Sequence, residues 1–177
     1  MLCAMPRWHP LQPADASFFA TAPHIYRFPT EFPVPPEQVW DSLTSDESVS
    51  AWGLGVRSLR WTSARPFGID ATREVELPLG LITVRERFFR WDEGRGYSFY
   101  VTEANRPWLR RFAEDYVVEP GRDGGTRFTW TIALEPTPAM RLPMLVGSPL
   151  NRLAFGQLVR GGQAYFAKNA SSLGGAR

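Results

Sequence analysis

The chain is poor in the residues that hold metals and disulfides. Cys3 is its single cysteine, so no intramolecular disulfide can form and a reducing, cytoplasmic setting is expected. His9 and His24 are the only histidines, and neither a Zn site nor any cofactor is expected from so few ligands. Lysine is almost missing as well: Lys168 is alone, and every other cation is Arg. Those Arg residues are scattered among Asp and Glu instead of forming a block, so the pI near 9.0 is weak evidence for nucleic-acid or membrane binding. No stretch approaches the roughly 18 apolar residues of a membrane span, and Met1 to Pro6 lacks the basic start and apolar run of a secretory signal.

What is present points to one domain. Apolar residues make up 44% and aromatics 14% of 177 residues, enough for one sizeable core and too little to suggest two. Residues 1–23 carry Pro6, Pro10, Pro13 and Pro23 without periodicity and read as an irregular arm, although Trp8, Phe18 and Phe19 could pack over a groove or a second subunit. Residues 24–170 read as the domain and 171–177 as a disordered tail.

Within the domain the period of the apolar pattern changes three times. His24 to Phe32 alternates like a strand, with Pro29 marking an edge or bulge. Pro36 opens a short helix whose Val39, Trp40 and Leu43 share a face, and a second helical turn follows through Trp52 until Gly53 and Gly55 end it. From Val56 the period drops to two. Six strands are predicted over 56–62, 70–77, 82–91, 96–103, 109–119 and 126–135, separated by short Pro- and Gly-containing turns. Residues 136–147 form an apolar connection, read as a lid, a membrane-touching loop, a dimer patch or half-buried packing. Ser148 and Pro149 then mark the start of one long helix to about Lys168, with Leu150, Leu153, Ala154 and Leu158 expected to face the sheet. Gly161 and Gly162 in mid-helix lower its propensity by roughly 1 kcal/mol each relative to Ala, which implies close packing there or room for a guest molecule.

This order of elements resembles the helix-grip fold of the START-like, or SRPBCC, superfamily, an α+β architecture with a curved antiparallel sheet of about seven strands around a C-terminal helix. The stretch from Phe32-Pro33-Val34-Pro35-Pro36 through Glu37-Gln38-Val39-Trp40 to Leu43 resembles the opening signature of its polyketide cyclase/dehydratase branch. Thr83-Val84-Arg85-Glu86 leading to Trp91-Asp92, and Gly125-Thr126-Arg127-Phe128-Thr129-Trp130 ending in Leu134-Glu135-Pro136, are similar to its central and final strands. The resemblance implies a cavity between sheet and helix. It implies no particular reaction, since the superfamily includes cyclases, lipid and sterol carriers, receptors and chaperone-associated domains.

Alternation gives the lining of that cavity. Phe128, Trp130, Ile132 and Leu134 set the inward phase of the last strand, and hairpin pairing carries it to Phe112, Glu114, Tyr116 and Val118, to Phe99 and Val101, and to Val84, Glu86 and Phe88. If Leu79-Gly80 is a two-residue turn, Arg73 lies opposite Glu86, and Tyr116 pairs with Trp130. The expected ligand-binding set is Phe88, Phe99, Phe112, Glu114, Tyr116, Phe128, Trp130, Leu158, Gly161 and Gly162. An exposed cross-strand ion pair is the alternative for Arg73 and Glu86. Glu114 has no obvious cation and is expected to titrate high.

Three functions are open on this reading. The first is binding of a small hydrophobic, lipid-like or aromatic molecule. The second is a metal-independent cyclase or dehydratase, with Glu114 or Glu86 as acid or base, Tyr116 as proton donor and Arg73 polarising a carbonyl. The third is a protein-interaction module using the arm and the 136–147 loop. A monomer or homodimer is compatible with each.

Overall fold

The structure, a computed structural model, describes residues 7–53, 55–77 and 81–174, the last four of these in backbone only. In chain order the elements are β1 (His9–Pro10), α1 (Phe18–Thr21), β2 (His24–Phe32), α2 (Pro36–Thr44), β3 (Ser58–Trp61), β4 (Thr72–Glu76), β5 (Thr83–Asp92), β6 (Gly96–Ala104), β7 (Leu109–Pro120), β8 (Thr126–Pro136), α3 (Arg141–Val146) and α4 (Ser148–Gly174), with a 3-10 turn at Ser48–Trp52. The strands form one antiparallel sheet ordered β2-β8-β7-β6-β5-β4-β3, with β1 added against β6. This is the expected α+β helix-grip arrangement, curved around α4.

The registers follow from the alternation. Tyr116 pairs with Trp130, and Phe28 sits opposite Trp130 on the other side, so three aromatics line one rung of the concave face. Arg73 pairs with Glu86 as the Leu79-Gly80 turn would require; the turn itself lies outside the described residues. Irregularities between Arg85 and Glu86 and between Phe88 and Arg90 let β5 keep Glu86, Phe88 and then Trp91 in contact with the core, against strict alternation.

The rotation of α4 differs from expectation. Leu150 is 69% and Leu153 58% exposed, and Ala154 is exposed too, whereas Val159 and Phe166 are buried and Phe155 and Leu158 half-buried against the core. A helix with apolar residues on more than one stripe does not set its own rotation; the surface it meets does. Here that surface is aromatic. A Cβ placed on Gly162 would lie 2.9 Å from Trp52 Cε3 and 3.3 Å from Phe32 Cζ, so the bare backbone of Gly162 takes the closest approach and the leucine stripe is turned out. Ser148 does not act as the expected cap either: its hydroxyl pairs with the Tyr26 hydroxyl at 3.0 Å, which ties the start of α4 to β2.

Residues 7–22 lie along the sheet. β6 and β7 pair only over Gly96–Tyr100, and beyond that point the two strands part. The arm enters the gap: Leu11 N–H donates to Thr102 O at 2.8 Å and Gln12 N–H to Arg110 O at 2.9 Å, so one backbone segment bridges both strands. Farther on, Phe18 is buried on the convex face against Ala113 and Ala133, which sit opposite each other in β7 and β8. Two small side chains in register make the pit that one large ring fills, and the Arg111 guanidinium closes it 4.4 Å from the ring centre. The expected tail begins inside α4, which runs to Gly174; residues 175–177 lie outside the described residues.

Candidate functional site

Between the concave sheet and α4 lies a cavity of about 100 Å³. Of the residues expected to line it, Arg73, Glu86, Phe99, Glu114, Tyr116, Phe128, Trp130 and Leu158 do so. Phe112 lines a second, larger hollow of about 400 Å³ instead. The two hollows share Leu77, Val84 and Phe155, so the Phe155 ring stands where they meet. Phe88 lies outside both linings, fully buried beneath Arg73, and Gly161 and Gly162 lie outside them too. Gly162 packs closely against Trp52 and Phe32.

Several lining residues were not legible in the alternation. Val49 and Trp52 come from the 3-10 turn after α2, and Phe155 and Val159 from α4. The i, i+4, i+7 and i+11 spacing of Phe155, Val159, Gly162 and Phe166 carried the signal, but the leucines on the opposite stripe obscured it. The second hollow draws on Leu11, Val101, Trp108, Met140 and Met144, from parts of the chain read as arm, strand end, turn and connection.

The polar groups of the cavity fall into two clusters. In the first, Tyr116 donates its hydroxyl to Glu114 Oε2 at 2.8 Å and Trp130 Nε1 donates to the same oxygen at 3.0 Å. Pairing of β7 with β8 explains this convergence, because Glu114 and Tyr116 are two apart on one face and Trp130 is Tyr116's cross-strand partner. Burial, joined by repulsion from the Glu86 carboxylate, pushes the Glu114 carboxyl up to about 8, although the two hydrogen bonds and Arg73 pull the other way. Burial also holds the Tyr116 hydroxyl well above its usual range, helped by the neighbouring Glu114 charge. Both groups are protonated at neutral pH.

In the second cluster, Arg73 Nε donates to Glu86 Oε2 at 2.5 Å and both side chains are buried, which rules out the exposed ion pair considered above. The guanidinium carbon lies 4.6 Å from the ring centre of Phe99, 5.0 Å from Phe88, 5.3 Å from Trp61 and 5.7 Å from Tyr97. Burial alone would weaken the cation, but the facing Glu86 charge and hydrogen bond, together with the Tyr97 and Tyr116 hydroxyls, outweigh it and hold Arg73 charged. For Glu86 the balance tips the other way: burial raises its pKa and Arg73 offsets only part of this. The direct hydrogen bond from a permanently charged guanidinium favours the ionised form of Glu86.

Other charged residues of these strands sit outside this region. Glu103 pairs with Arg85 at the surface, and Arg111 pairs with Glu135. Among the described residues no group of three His, Cys, Asp or Glu side chains is placed to hold a metal ion. No helix there is long and apolar enough to cross a membrane.

Comparison with known proteins agrees with this architecture. An uncharacterized protein of Mycobacterium tuberculosis is 31% identical over 157 residues, covering 89% of this chain and 93% of its own, and one of Mycobacterium bovis matches equally. Among solved structures, a protein from Thermus thermophilus superposes with a TM-score of 0.67 at 20% identity, covering 82% of this chain and 99% of that one. The crystal structure of Ara h 8.0201 superposes with a TM-score of 0.60 at 17% identity, with coverage of 82% and 98%. At these identities the structural likeness establishes the fold alone. The family model described as polyketide cyclase / dehydrase and lipid transport matches residues 26–170, and with the helix-grip fold around a lined cavity the chain belongs to that family.

Proposed function

We propose that the chain binds a small, largely apolar molecule carrying one carbonyl or hydroxyl oxygen, with that oxygen against Glu114 and the apolar body running past Phe155 into the outer hollow. The observation that carries this reading is the carboxyl of Glu114 buried in the lining of an aromatic cavity. Both Tyr116 and Trp130 donate to Oε2, so the acid's own proton belongs on Oε1, and a neutral carboxyl donates to a ligand acceptor without placing a charge in an apolar site. Phe99, Phe128 and Trp130 supply the apolar contact, as small-molecule sites require.

A fluorescent naphthyl ketone, whose emission shifts to the blue in apolar surroundings, tests this by titration into the purified chain. Saturable one-to-one binding is expected near pH 6, weakening as pH rises past about 8, where Glu114 ionises and loses its donor. Glu114→Gln keeps an N–H donor at the same place and should bind at all pH values. Binding by the native chain that ignores pH would show that Glu114 does not touch the ligand, and no saturable binding would overturn the reading.

A cyclase or dehydratase reading is favoured by one specific feature, an acid with a pKa near neutrality beside a tyrosine hydroxyl. The same variant separates the two readings. Gln retains hydrogen bonding but cannot transfer a proton, so a binding protein keeps its function and an enzyme loses turnover.

A further inference from the structure

The connection between β8 and α4 is apolar on two sides. Met140, Pro143, Met144, Gly147 and Asn151, spaced mostly three and four apart, line the outer hollow. The opposite stripe has similar spacing and is left open by the described residues: Leu142 is 68%, Leu145 63%, Val146 74%, Leu150 69% and Leu153 58% exposed. A helix that is apolar all round calls for an apolar medium on each side, and here the cavity supplies only one.

Charge identifies the second medium. Residues 136–177 contain no Asp or Glu, while Arg141, Arg152, Arg160, Lys168 and Arg177 are all cations. Arg141 and Arg152 flank the exposed stripe and are themselves exposed. The facing lip of the hollow, the turn between β6 and β7, adds exposed Arg106 and a 39% exposed Trp108. Thr137 N–H donates to Trp108 O at 3.0 Å and holds the two lips together.

We propose that this rim, the α3–α4 elbow with the β6–β7 turn, docks on an anionic lipid surface, with the leucine stripe and Trp108 entering the interfacial layer and the arginines on lipid phosphates. An amphipathic segment with cations beside a hydrophobic stripe binds such interfaces, and tryptophan favours the same depth. A second copy fits less well, because a two-fold contact through this stripe brings Arg141 and Arg152 of each copy together with no acid in the segment to pair them. Docked in this way, the outer hollow opens into lipid, and an apolar ligand passes between membrane and cavity without crossing water. The docking surface stands on its own observations and does not depend on what Glu114 binds.

Co-sedimentation of the full chain with vesicles tests it, using phosphatidylcholine alone and phosphatidylcholine with about 30% phosphatidylglycerol. The native chain is expected to sediment with the anionic vesicles, less so at ~0.5 M salt, and weakly with the neutral ones. Leu145→Glu with Val146→Glu, both outside the cavity lining, should reduce sedimentation by about tenfold or more, with circular dichroism and thermal midpoint unchanged. Arg141→Gln with Arg152→Gln should remove the preference for anionic vesicles and spare the residual binding to neutral ones. The proposal is overturned if the native chain stays in the supernatant with both vesicle types or if the variants sediment like the native chain. It is equally overturned if sedimentation velocity shows a dimer that the glutamate variant dissociates. Ketone binding in vesicle-free solution reads the cavity separately, so failure of one proposal is distinguishable from failure of the other.

Discussion

Replacing Glu114 by Gln should make the protein more stable at neutral pH while leaving its fold unchanged. The carboxyl has a pKa of about 8 in the folded chain against an ordinary 4.5 once unfolding returns it to water. Between those values the unfolded state releases a proton that the folded state keeps. Because the folded pKa is the raised one, the acid's contribution is fully present below about 4.5 and is lost as pH rises toward 8. At about 1.4 kcal/mol per pH unit, the loss at pH 7 is about 3 kcal/mol, and it levels off above the folded pKa. Gln has nothing to titrate, and its amide oxygen can accept the same two bonds from Tyr116 and Trp130. The variant should therefore match the native chain near pH 4 and exceed it by roughly 2–3 kcal/mol at pH 7. Urea unfolding followed by tryptophan fluorescence across that range gives the difference directly. A stability gap that does not change with pH, or a carboxyl titrating near its ordinary value by NMR, would refute the burial argument.

The other variants probe packing. Arg73→Met leaves Glu86 buried without its cation and should cost about 3–5 kcal/mol by urea unfolding, most of it recovered when Glu86→Leu is added; Arg73→Lys should not rescue, since an ammonium cannot stack among the four surrounding rings. Gly162→Ala gains helix propensity but drives a methyl against Trp52 and Phe32, for a net loss of about 1–2 kcal/mol in the same assay. Gly156→Ala, whose added Cβ meets only Phe28 Cε1 at 3.9 Å, should instead gain nearly 1 kcal/mol. Phe18→Ala empties the pit over Ala113 and Ala133 and should lower stability by about 3–5 kcal/mol, with a matching fall in thermal midpoint.

The strand core and its polar pairs were readable because a sheet transmits phase. Once Phe128, Trp130, Ile132 and Leu134 are taken as inward, the side chain at every paired position is assigned by parity, and turn lengths supply the register. That is how Arg73 and Glu86, or Tyr116 and Trp130, could be matched across strands from letters alone. Where the regular ladder breaks, parity stops: Trp91 joins the core past an irregularity in β5, and nothing in Phe88-Phe89-Arg90-Trp91 announces the change.

The helix and the arm were less readable for a different reason: neither carries the information that positions it. The leucines of α4 are as apolar as its buried face, and only Trp52 and Phe32, distant in sequence, select the side bearing Gly162. Leu11 and Phe18 find their places because β6 and β7 part after Tyr100 and because Ala113 and Ala133 leave a hollow, both properties of other elements. The cavity is assembled from both kinds of information. Its polar floor, Glu114 with Tyr116 and Trp130, lies on adjacent strands where parity fixes it, whereas its roof and entrance are Phe155, Leu11, Met144 and Trp108, held by packing. The chemistry of the floor is therefore the more tightly specified part. Which molecules reach it depends on the roof and the entrance, where a substitution can change shape without disturbing a strand register.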